Sequence, residues 1–566
     1  MTEVYLKIRE NECWLKEQCA GCADILFRPM RLGDPPTACL AVYLEVTVSN
    51  MMLEESMLGR LLARMKEVPG QELIPYLDEN GMGISDVGQL ETLEDGLRAL
   101  LAGNMILLID GYNKILKIGS KGYPGKTLGL AQSEKVLRGS NEGFSEPVKV
   151  NTALIRKRIR STDLKVKEMF LGARSDTLVN VLYMEGIAYP DLVELACDRI
   201  RRYEVDGVLD SGILEQLAEE EWLSPFPQFQ TTERPDLAAM ELLNGRVVIL
   251  SDNSPVALLL PTTLNSFLGV SEDRYNRFEI ASFQRMLRYL AMCMALMFSG
   301  IYLAVIGFHT QILPTNLLLS FAEARRGVPF PSLLEVLLME LAFELIREAS
   351  VRMPGPLSGT IGIVGGLIIG DAAVGANLVS PMAVVVVALS ALSSFAIPNE
   401  ELSSAVRLLK YGFILLGGLL GMFGIAVGVY LFLGHLAGLV SFRIPYLIPF
   451  VGKGVDGYQT ENDSLWRGPM RTLRLRPIFA RRGNRVRLRA RYGQQAGQEE
   501  TPSGSPGGPS DGDRERRDGD VFRDLPGGHR ISHPDSSHQS AAVLCGGPAG
   551  STFPQPFGGP SDGTGL

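Results

Sequence analysis

The sequence predicts an α/β soluble N-terminal region of two small subdomains, followed by an α-helical multi-span membrane domain and a disordered C-terminal tail. Charged residues are frequent in the first half, the third quarter is apolar and rich in glycine, and the end is rich first in arginine and then in glycine. These changes in composition place the segments at residues 1–138, 145–262, 280–442 and 443–566. The net charge of −8 does not favour nucleic acid as a partner.

The first half alternates short apolar runs with segments of helical periodicity, which indicates mixed α/β structure. Its predicted strands are residues 38–48, 104–110, 177–187 and 246–250, and its predicted helices are residues 53–68, 90–102 and 190–203. The polar, glycine-containing segment 120–146 predicts a linker between two such units. The amino-terminal residues lack the apolar core of a signal peptide, so we expect this half to lie in the cytoplasm.

No residue pattern in the soluble half predicts an enzyme, a cofactor or a metal site. Gly125, Lys126 and Thr127 resemble the end of a phosphate-binding loop, but the first glycine of such a loop is replaced by Ser120. A polar loop is therefore the interpretation that we favour over nucleotide binding.

The cysteines and histidines lead to the same expectation. Cys13, Cys19 and Cys22 lie close together, with Cys39 alone, whereas a zinc site usually has two close pairs of ligands. We therefore interpret these four cysteines as reduced thiols and not as metal ligands. Three of the 5 histidines lie in the tail, which argues against histidine-based catalysis.

The apolar third quarter contains three stretches suited to a lipid bilayer. Residues 289–308 carry no charge and are long enough to cross a hydrocarbon core of about 30 Å. Residues 354–398 have Asp371 as their only ionisable side chain, and we interpret them as a hairpin or broken helix followed by a span. Residues 411–442 form the last long apolar run, whose small-residue motif, GGLLG, suits close helix packing.

Basic residues predict the orientation of these spans. Arg285 and Arg288 precede the first span, and the arginine-rich segment 467–491 follows the last one. Both ends are therefore predicted to be cytoplasmic, which requires an even number of crossings, and we favour four. Arg407 and Lys410, which precede the last apolar run, do not fit this orientation. The segment 467–491 is interpreted as a topology determinant, with binding of anionic lipid as the alternative.

Residues 331–352 predict a helix with an acidic face. Glu340, Glu344, Arg347 and Glu348 recur at helical spacing and share one side. One interpretation is an amphipathic helix at the level of the lipid headgroups, with its acids in water. The other is that this face lines a cation path in an oligomer, because rings of acidic side chains select cations.

Asp371 is a second candidate for a role in ion movement. A carboxylate at the centre of a bilayer costs about 2.5–3.5 kcal/mol and usually faces protein or water. The alternative is that Asp371 lies in a turn near the membrane surface, where the cost is small. The sequence favours neither interpretation.

Several motifs, in order, resemble the A subunit of GerA-type spore germinant receptors. They are NTALIRKRIR (151–160), LDSGILEQL (209–217), SPFPQFQTTERPD (224–236), NGRVVILSDNSPVALLLPTT (244–263), VPFPSLLEVLLMELAFELIREASVRMP (328–354), IGIVGGLIIGDAAVGANLVSP (361–381) and FAIP (395–398). The motif residues that we single out are Asn151, Arg156, Thr232, Glu233, Arg234, Pro235, Asp236, Gly365, Gly366 and Gly370.

The resemblance implies two cytoplasmic α/β subdomains and a multi-span domain in the inner membrane of a bacterial spore. It also implies two partners, a transporter-like B subunit that senses the nutrient and a lipoprotein C subunit. A subunits of this family are thought to form a ring that conducts ions, which would place Glu340, Glu344 and Glu348 near the pore. Asp371 departs from the family, in which this position is more often uncharged or longer.

Two related functions are the alternatives. One is an A-like membrane protein of the sporulation operon that amplifies ion release. The other is a secondary transporter, since glycine-broken apolar segments suit a binding site at the membrane midplane. Against a transporter, the sequence shows no internal repeat and few spans.

Overall fold

The structure is a computed structural model of the chain. It describes residues 2–33, 36–45, 87–119, 131, 134–136, 138–352, 370–450, 466–469 and 476–481. The predicted helix 53–68 and the loop 125–127 lie outside the described residues.

The first subdomain is a five-stranded antiparallel sheet with strand order β1-β2-β4-β5-β3. Its elements are α1 (Ile8–Gln18), β1 (Ile25–Leu32), β2 (Thr37–Leu44), β3 (Val87–Leu90), α2 (Leu93–Leu101), β4 (Met105–Ile109) and β5 (Ile115–Ile118). Every residue of β4 is buried, because alternate side chains enter two separate cores on the two faces of the sheet. This burial on both faces explains the continuous apolar run that predicted the strand.

The second subdomain is also a five-stranded antiparallel sheet, with strand order β6-β7-β9-β10-β8. Its elements are α3 (Val148–Arg158), β6 (Leu164–Leu171), β7 (Thr177–Met184), α4 (Pro190–Arg201), α5 (Ser211–Ala218), β8 (Gln230–Thr232), α6 (Pro235–Leu243), β9 (Val247–Ser251) and β10 (Ala257–Leu260). Helices α3 and α6 pack on one face of the sheet, and α4 and α5 pack on the other. The sheet is therefore covered on both sides.

The two subdomains repeat one topology. In each sheet the strands lie in the order first, second, fourth, fifth and third along the chain. In each, one helix precedes the first strand and another joins the third strand to the fourth. The α/β region thus contains a repeat in the order of its elements, which the sequence analysis did not show.

The remaining described elements form the helical region. They are α7 (Leu264–Leu268), α8 (Glu272–Tyr275), α9 (Phe278–Phe308), a short turn of 3-10 helix (Thr310–Ile312), α10 (Thr315–Ala324), α11 (Ser332–Arg352), α12 (Pro381–Phe395), α13 (Glu400–Gly438), β11 (Val440–Ser441) and β12 (Ile444–Pro445). By length and composition, α9 and α13 could each cross a membrane.

Helix α13 reverses direction at Gly421, which has a φ of 64° and a ψ of −146°. The rings of Phe413 and Phe432 are 6.4 Å apart, whereas a continuous helix would separate these residues by about 28 Å. We call residues 400–420 the first arm and residues 422–438 the second arm. The apolar run 411–442, interpreted from the sequence as a single span, therefore belongs to two antiparallel helices.

Helix α9 and the first arm contact each other backbone to backbone. A Cβ atom on Gly300 would lie 2.6 Å from the carbonyl oxygen of Phe413, and one on Gly417 would collide with the carbonyl oxygen of Gly300. The close packing predicted from the GGLLG motif is confirmed at Gly417.

Both ends of α13 lie beside the second subdomain, and the turn between its arms lies at the far end of the bundle. Leu402 in the first arm and Leu436 in the second share an apolar cluster with Phe267 of α7. Gly421 contacts Phe308, the last residue of α9. Helix α9 and the first arm thus run away from the α/β region, and the second arm returns to it.

Candidate functional site: a ladder of ion pairs in the helical region

Glu340 and Lys410 form a buried ion pair at the centre of the helical region. Lys410 Nζ donates to Glu340 Oε2 over 2.5 Å, and Ser299 Oγ donates to Glu340 Oε1 over 2.7 Å. The side chain of Glu340 is 0% exposed and that of Lys410 is 4% exposed. One carboxylate therefore connects α9, α11 and α13.

Two further ion pairs extend this contact between α11 and the first arm. Arg407 lies 3.3 Å from Glu344, and Arg347 lies 2.9 Å from Glu400. The residue numbers of the paired side chains increase along α11 while those of their partners decrease along the first arm, so the two helices are antiparallel. We call these three pairs the ladder.

Arg407 also bridges two steps of the ladder, since it lies 3.2 Å from Glu400 as well as near Glu344. Arg407 and Lys410 are thus paired with acids of α11, which explains why they do not follow the orientation expected of isolated basic residues.

Glu335, in the first turn of α11, is not among the residues singled out from the sequence. The structure buries its carboxylate, with 1% of the residue exposed. Arg325 donates to it over 3.1 Å, and the backbone N–H of Ser380 donates to it over 3.1 Å. The sequence signal that could have indicated this buried pair is an acid at the start of an apolar helix with an arginine shortly before it.

The other predicted residues of the helical region are not part of the ladder. Glu348 and Asp371 are exposed, and Gly370 is buried and lies near Val384. Asp371 lies in a short helical segment that precedes the turn at Asn377. Gly365 and Gly366 lie outside the described residues.

Arg156 joins the two α/β subdomains. Its Nε and Nη2 atoms each donate to Asp24 over 2.7 Å, and the residue is 0% exposed. Its Nη1 donates to the carbonyl of Ser161 over 2.8 Å. A buried, bidentate pair of this kind fixes the relative position of the segments that carry it.

Asn151 holds the start of the second subdomain. Its Oδ1 accepts from the backbone N–H of Ser145 over 2.8 Å, and its Nδ2 donates to the carbonyl of Ser145 over 2.5 Å. The amide side chain thus satisfies both backbone hydrogen-bonding groups of Ser145 at the end of the linker, as a neighbouring strand would.

The TTERPD motif also contacts the linker, through Glu134. Glu134 accepts from Thr232 Oγ1 over 2.5 Å and from the backbone N–H of Glu233 over 3.2 Å. Burial raises the pKa of Glu134, and these hydrogen bonds oppose that change. Pro235 is the first residue of α6, where its fixed φ and missing N–H fit the start of a helix.

Arg234 and Asp236 connect the linker to the helical region. Arg234 donates to the carbonyls of Glu134 and Ser140, and its Nη2 donates to Asp236 over 2.8 Å. Tyr275 of α8 donates to Asp236 over 2.8 Å. Burial and this hydrogen bond raise the pKa of Tyr275 to about 12, so the phenol stays protonated.

These features define a two-part protein, in which a duplicated α/β region is joined to a bundle of apolar helices. The profile of the family described as Bacillus/Clostridium GerA spore germination protein matches residues 13–479. The chain belongs to this family.

Several curated relatives from Bacillus subtilis (strain 168) align over most of the chain. Spore germination protein B1 is 35% identical over 474 residues, which is 83% of this chain and 96% of that protein. Spore germination protein A1 is 38% identical over 390 residues, or 68% of this chain and 80% of that protein. The uncharacterized membrane protein YfkQ is 36% identical over 479 residues, or 84% of this chain and 92% of that protein.

Among solved structures, the chain is similar to the N-terminal domain of the A subunit of the Bacillus megaterium spore germinant receptor GerK3. The identity is 26% and the TM-score 0.36, and the alignment covers 46% of this chain and 96% of that domain.

Proposed function

We propose that this chain is the A subunit of a spore nutrient germinant receptor, and that it assembles with copies of itself to form or gate an ion-conducting channel. The observation that carries the proposal is the ladder, with its buried pair of Glu340 and Lys410. Membership of the GerA family supports the role in germination. The role is non-enzymatic.

The proposed topology places the α/β region in the cytoplasm and the helical region in the membrane as a multi-pass domain. Helix α9 leaves the α/β region and the second arm returns to it, so both ends of the bundle lie on one side. Each charge of the ladder would cost about 2.5–3.5 kcal/mol if it were isolated at the centre of a bilayer. Pairing lowers that cost, which supports placing these charges inside the membrane.

The ladder gives the channel a closed state. While Lys410 neutralises Glu340, the carboxylate is unavailable to a passing cation. A movement of α11 along the first arm separates the pairs and presents Glu340 and Glu344 to a path between subunits. In the proposed ring, the exposed Glu348 and Asp371 line that path.

The partners in this proposal are a transporter-like B subunit, which binds the nutrient, and a lipoprotein C subunit. The linker contacts of Arg234 and Asp236 offer a route for coupling, because they join the α/β region to α8 at the base of α9. The proposed location is the inner membrane of the spore.

The test is ion release from spores that depend on this chain for their response to a nutrient. In spores whose Glu340→Gln receptor is shown to assemble, we expect nutrient-triggered ion release to be slower than in wild type, because the open path loses a carboxylate that attracts the cation. Glu323→Gln, at an exposed acid of α10, is the matched control and should behave as wild type. Normal release from an assembled Glu340→Gln receptor would remove the ladder from the ion path.

A further inference from the structure

Two adjacent apolar side chains, Trp222 and Leu223, project from the loop between α5 and β8. Each is 77% exposed, and among the described residues they are the two most exposed large apolar side chains of the α/β region. A single exposed apolar residue is ordinary, whereas an apolar patch marks a surface that contacts something else. We call residues 219–226 the Trp222 loop.

The backbone of the Trp222 loop is held by hydrogen bonds. Gln228 Oε1 accepts from the backbone N–H of Glu220 over 2.9 Å and from that of Glu221 over 3.4 Å. The backbone N–H of Ser224 donates to the carbonyl of Glu221 over 2.9 Å. The loop therefore presents its two apolar side chains from a fixed backbone.

The same loop contacts the end of the second arm. Ser224 Oγ lies 2.8 Å from His435 Nε2. The ring of Phe226 lies 5.8 Å from the ring of His435 and 5.9 Å from that of Phe432. Trp222 is two residues from Ser224, a distance of at most about 7 Å along an extended chain. The exposed side chains of the loop thus lie beside the last turns of the second arm.

The length of the second arm determines the depth of this contact in a membrane. At about 1.5 Å per residue, residues 422–438 are about 25 Å long, whereas the hydrocarbon core is about 30 Å thick. An arm whose turn at Gly421 reaches the far surface therefore ends near the boundary between the acyl chains and the headgroups. His435 and the loop beside it then lie at that boundary.

Exposed apolar side chains continue from the loop onto the second arm, where Tyr430, Leu431 and Leu433 are exposed. In the proposed topology these residues contact lipid. Tryptophan is enriched where lipid and water meet, because its ring is apolar and its N–H is polar. Trp222 therefore has a side chain suited to the position that it occupies.

Basic side chains lie near the same loop. Arg199 of α4 forms an ion pair with Glu220 of the loop. Burial, followed by Arg443 and Arg202, lowers the pKa of Arg199 to about 10, so the three guanidinium groups lie near one another. Arg202 and Arg443 are exposed. Guanidinium groups at this level match the phosphates of lipid headgroups.

We propose that Trp222 and Leu223 insert into the cytoplasmic headgroup layer of the membrane and anchor the second subdomain to it. The partner of this surface is the lipid bilayer and not a protein. The inference rests on the proposed function, because it requires the helical region to span the membrane with the α/β region in the cytoplasm.

The experiment measures tryptophan fluorescence of the full chain in vesicles of phosphatidylcholine, either plain or brominated on the acyl chains. Bromine quenches tryptophan only at short range, so a loss of emission reports contact with the bilayer. The chain has 3 tryptophans, and the substitutions Trp14→Phe and Trp466→Phe leave Trp222 alone. Its emission should fall most when the bromines are close to the headgroups and less when they are near the ends of the acyl chains.

Two comparison variants each carry one tryptophan at a new position, in a chain whose 3 native tryptophans are replaced by Phe. Phe170→Trp is the matched control, because Phe170 is exposed on β6, at the edge of the sheet opposite to β8. Since β8 borders α13, four strand spacings place β6 about 19 Å further away, and we expect no quenching there. Tyr430→Trp, near the middle of the second arm, should be quenched most by bromines near the chain ends. Gel filtration and Tm establish that each variant folds.

Quenching of Trp222 without quenching of Phe170→Trp supports the proposal. An unquenched Trp222 together with a quenched Tyr430→Trp would overturn the lipid anchor and leave the membrane topology intact, and the loop would then face water or a protein partner. Equal quenching of Trp222 and Phe170→Trp would also overturn the proposal, because the contact would not be specific to the loop. An unquenched Tyr430→Trp would contradict the membrane topology itself and this inference with it.

Discussion

Lys410 and Glu340 are 70 residues apart in the sequence, and their charged atoms are 2.5 Å apart in the fold. The nearest basic residue of the ladder on the same arm, Arg407, faces Glu344 and Glu400 and so does not replace this contact. The pair of Lys410 and Glu340 is therefore the buried one of the three ion pairs that join α11 to the first arm of α13.

Breaking this pair should destabilise the helical region. Lys410→Met leaves a buried carboxylate without its cation, and the loss of one partner of such a pair costs about 3–5 kcal/mol. The double variant Glu340→Met, Lys410→Met should recover most of this loss, since an apolar pair of similar volume is often neutral. Thermal unfolding in detergent measures both, and a double variant less stable than Lys410→Met would contradict the assignment.

The close contact of α9 with the first arm predicts a difference between two glycines of one helix. Gly417→Ala should lower Tm and assembly, because its Cβ would collide with the carbonyl oxygen of Gly300. Gly412→Ala is the control, since nothing lies within 4 Å of a Cβ at that position. Equal effects of the two substitutions on Tm would show that these helices do not pack as described.

The reversal at Gly421 predicts a specific membrane topology. An epitope inserted after Gly421 should bind an antibody added outside spheroplasts, because the turn lies at the end of the bundle remote from the α/β region. Epitopes inserted at Asn399 and after Phe442 should bind antibody only after permeabilisation. Finding these two sites on opposite sides would mean that α13 crosses once.

The contact of Arg156 with Asp24 predicts a coupling between the α/β subdomains. Asp24→Asn should cost about 3–5 kcal/mol, because it removes one charge of a buried bidentate pair. Arg174→Gln is the control at the exposed pair with Asp206, which should contribute about 0–1 kcal/mol. Limited proteolysis of the linker and thermal unfolding report the result, and similar losses in both variants would refute a special role for Arg156.

Glu215 of α5 predicts a pH dependence of stability. Burial, followed by the nearby Glu401 and Glu219 carboxylates, raises its pKa to about 8. Between the unfolded pKa and about 8 the folded state holds the proton more tightly, so this group's contribution to stability falls as pH rises through that window. Glu215→Gln should match wild type near pH 5 and exceed it at pH 8.5, with a Tm gain of about 2–4 °C if the effect is near 1 kcal/mol.

A matched variant checks the source of that pH dependence. Glu204 is an exposed acid of the same subdomain, so Glu204→Gln should leave the difference in Tm between pH 5 and pH 8.5 unchanged. A Glu215→Gln protein with the same pH profile as wild type would contradict the assignment.

The sequence predicted several elements that form distinct apolar runs. The runs 104–110 and 246–250 correspond to β4 and β9, which are buried on both faces, and 331–352 corresponds to α11. Helix α9 begins at Phe278, well before the uncharged run that starts at residue 289, because its first turns carry charged residues such as Arg285 and Arg288. Short edge strands such as β8 have no comparable pattern and were missed.

The candidate site was only partly predictable for a related reason. Spacing alone placed Glu340, Glu344 and Arg347 on one face, but their partners lie on a helix distant in sequence. From the sequence, Lys410 was therefore only an exception to the positive-inside rule, and it was not assigned to the site. The reversal of α13 was hidden because an apolar sequence with several glycines fits one long helix as well as two short ones.

The most direct test of the account is to join α11 to the first arm reversibly at the ladder. Glu344→Cys and Arg407→Cys replace one pair whose charged atoms are 3.3 Å apart. A thiol reagent that joins two cysteines through a cleavable disulfide spacer should cross-link the two helices, and reduction should release them. The spacer is needed because cysteine side chains are much shorter than the Glu and Arg side chains that they replace. We expect spores with the cross-linked protein to fail to release ions when nutrient is added, and we expect reduction to restore release. Undiminished ion release from spores whose protein is fully cross-linked would contradict it.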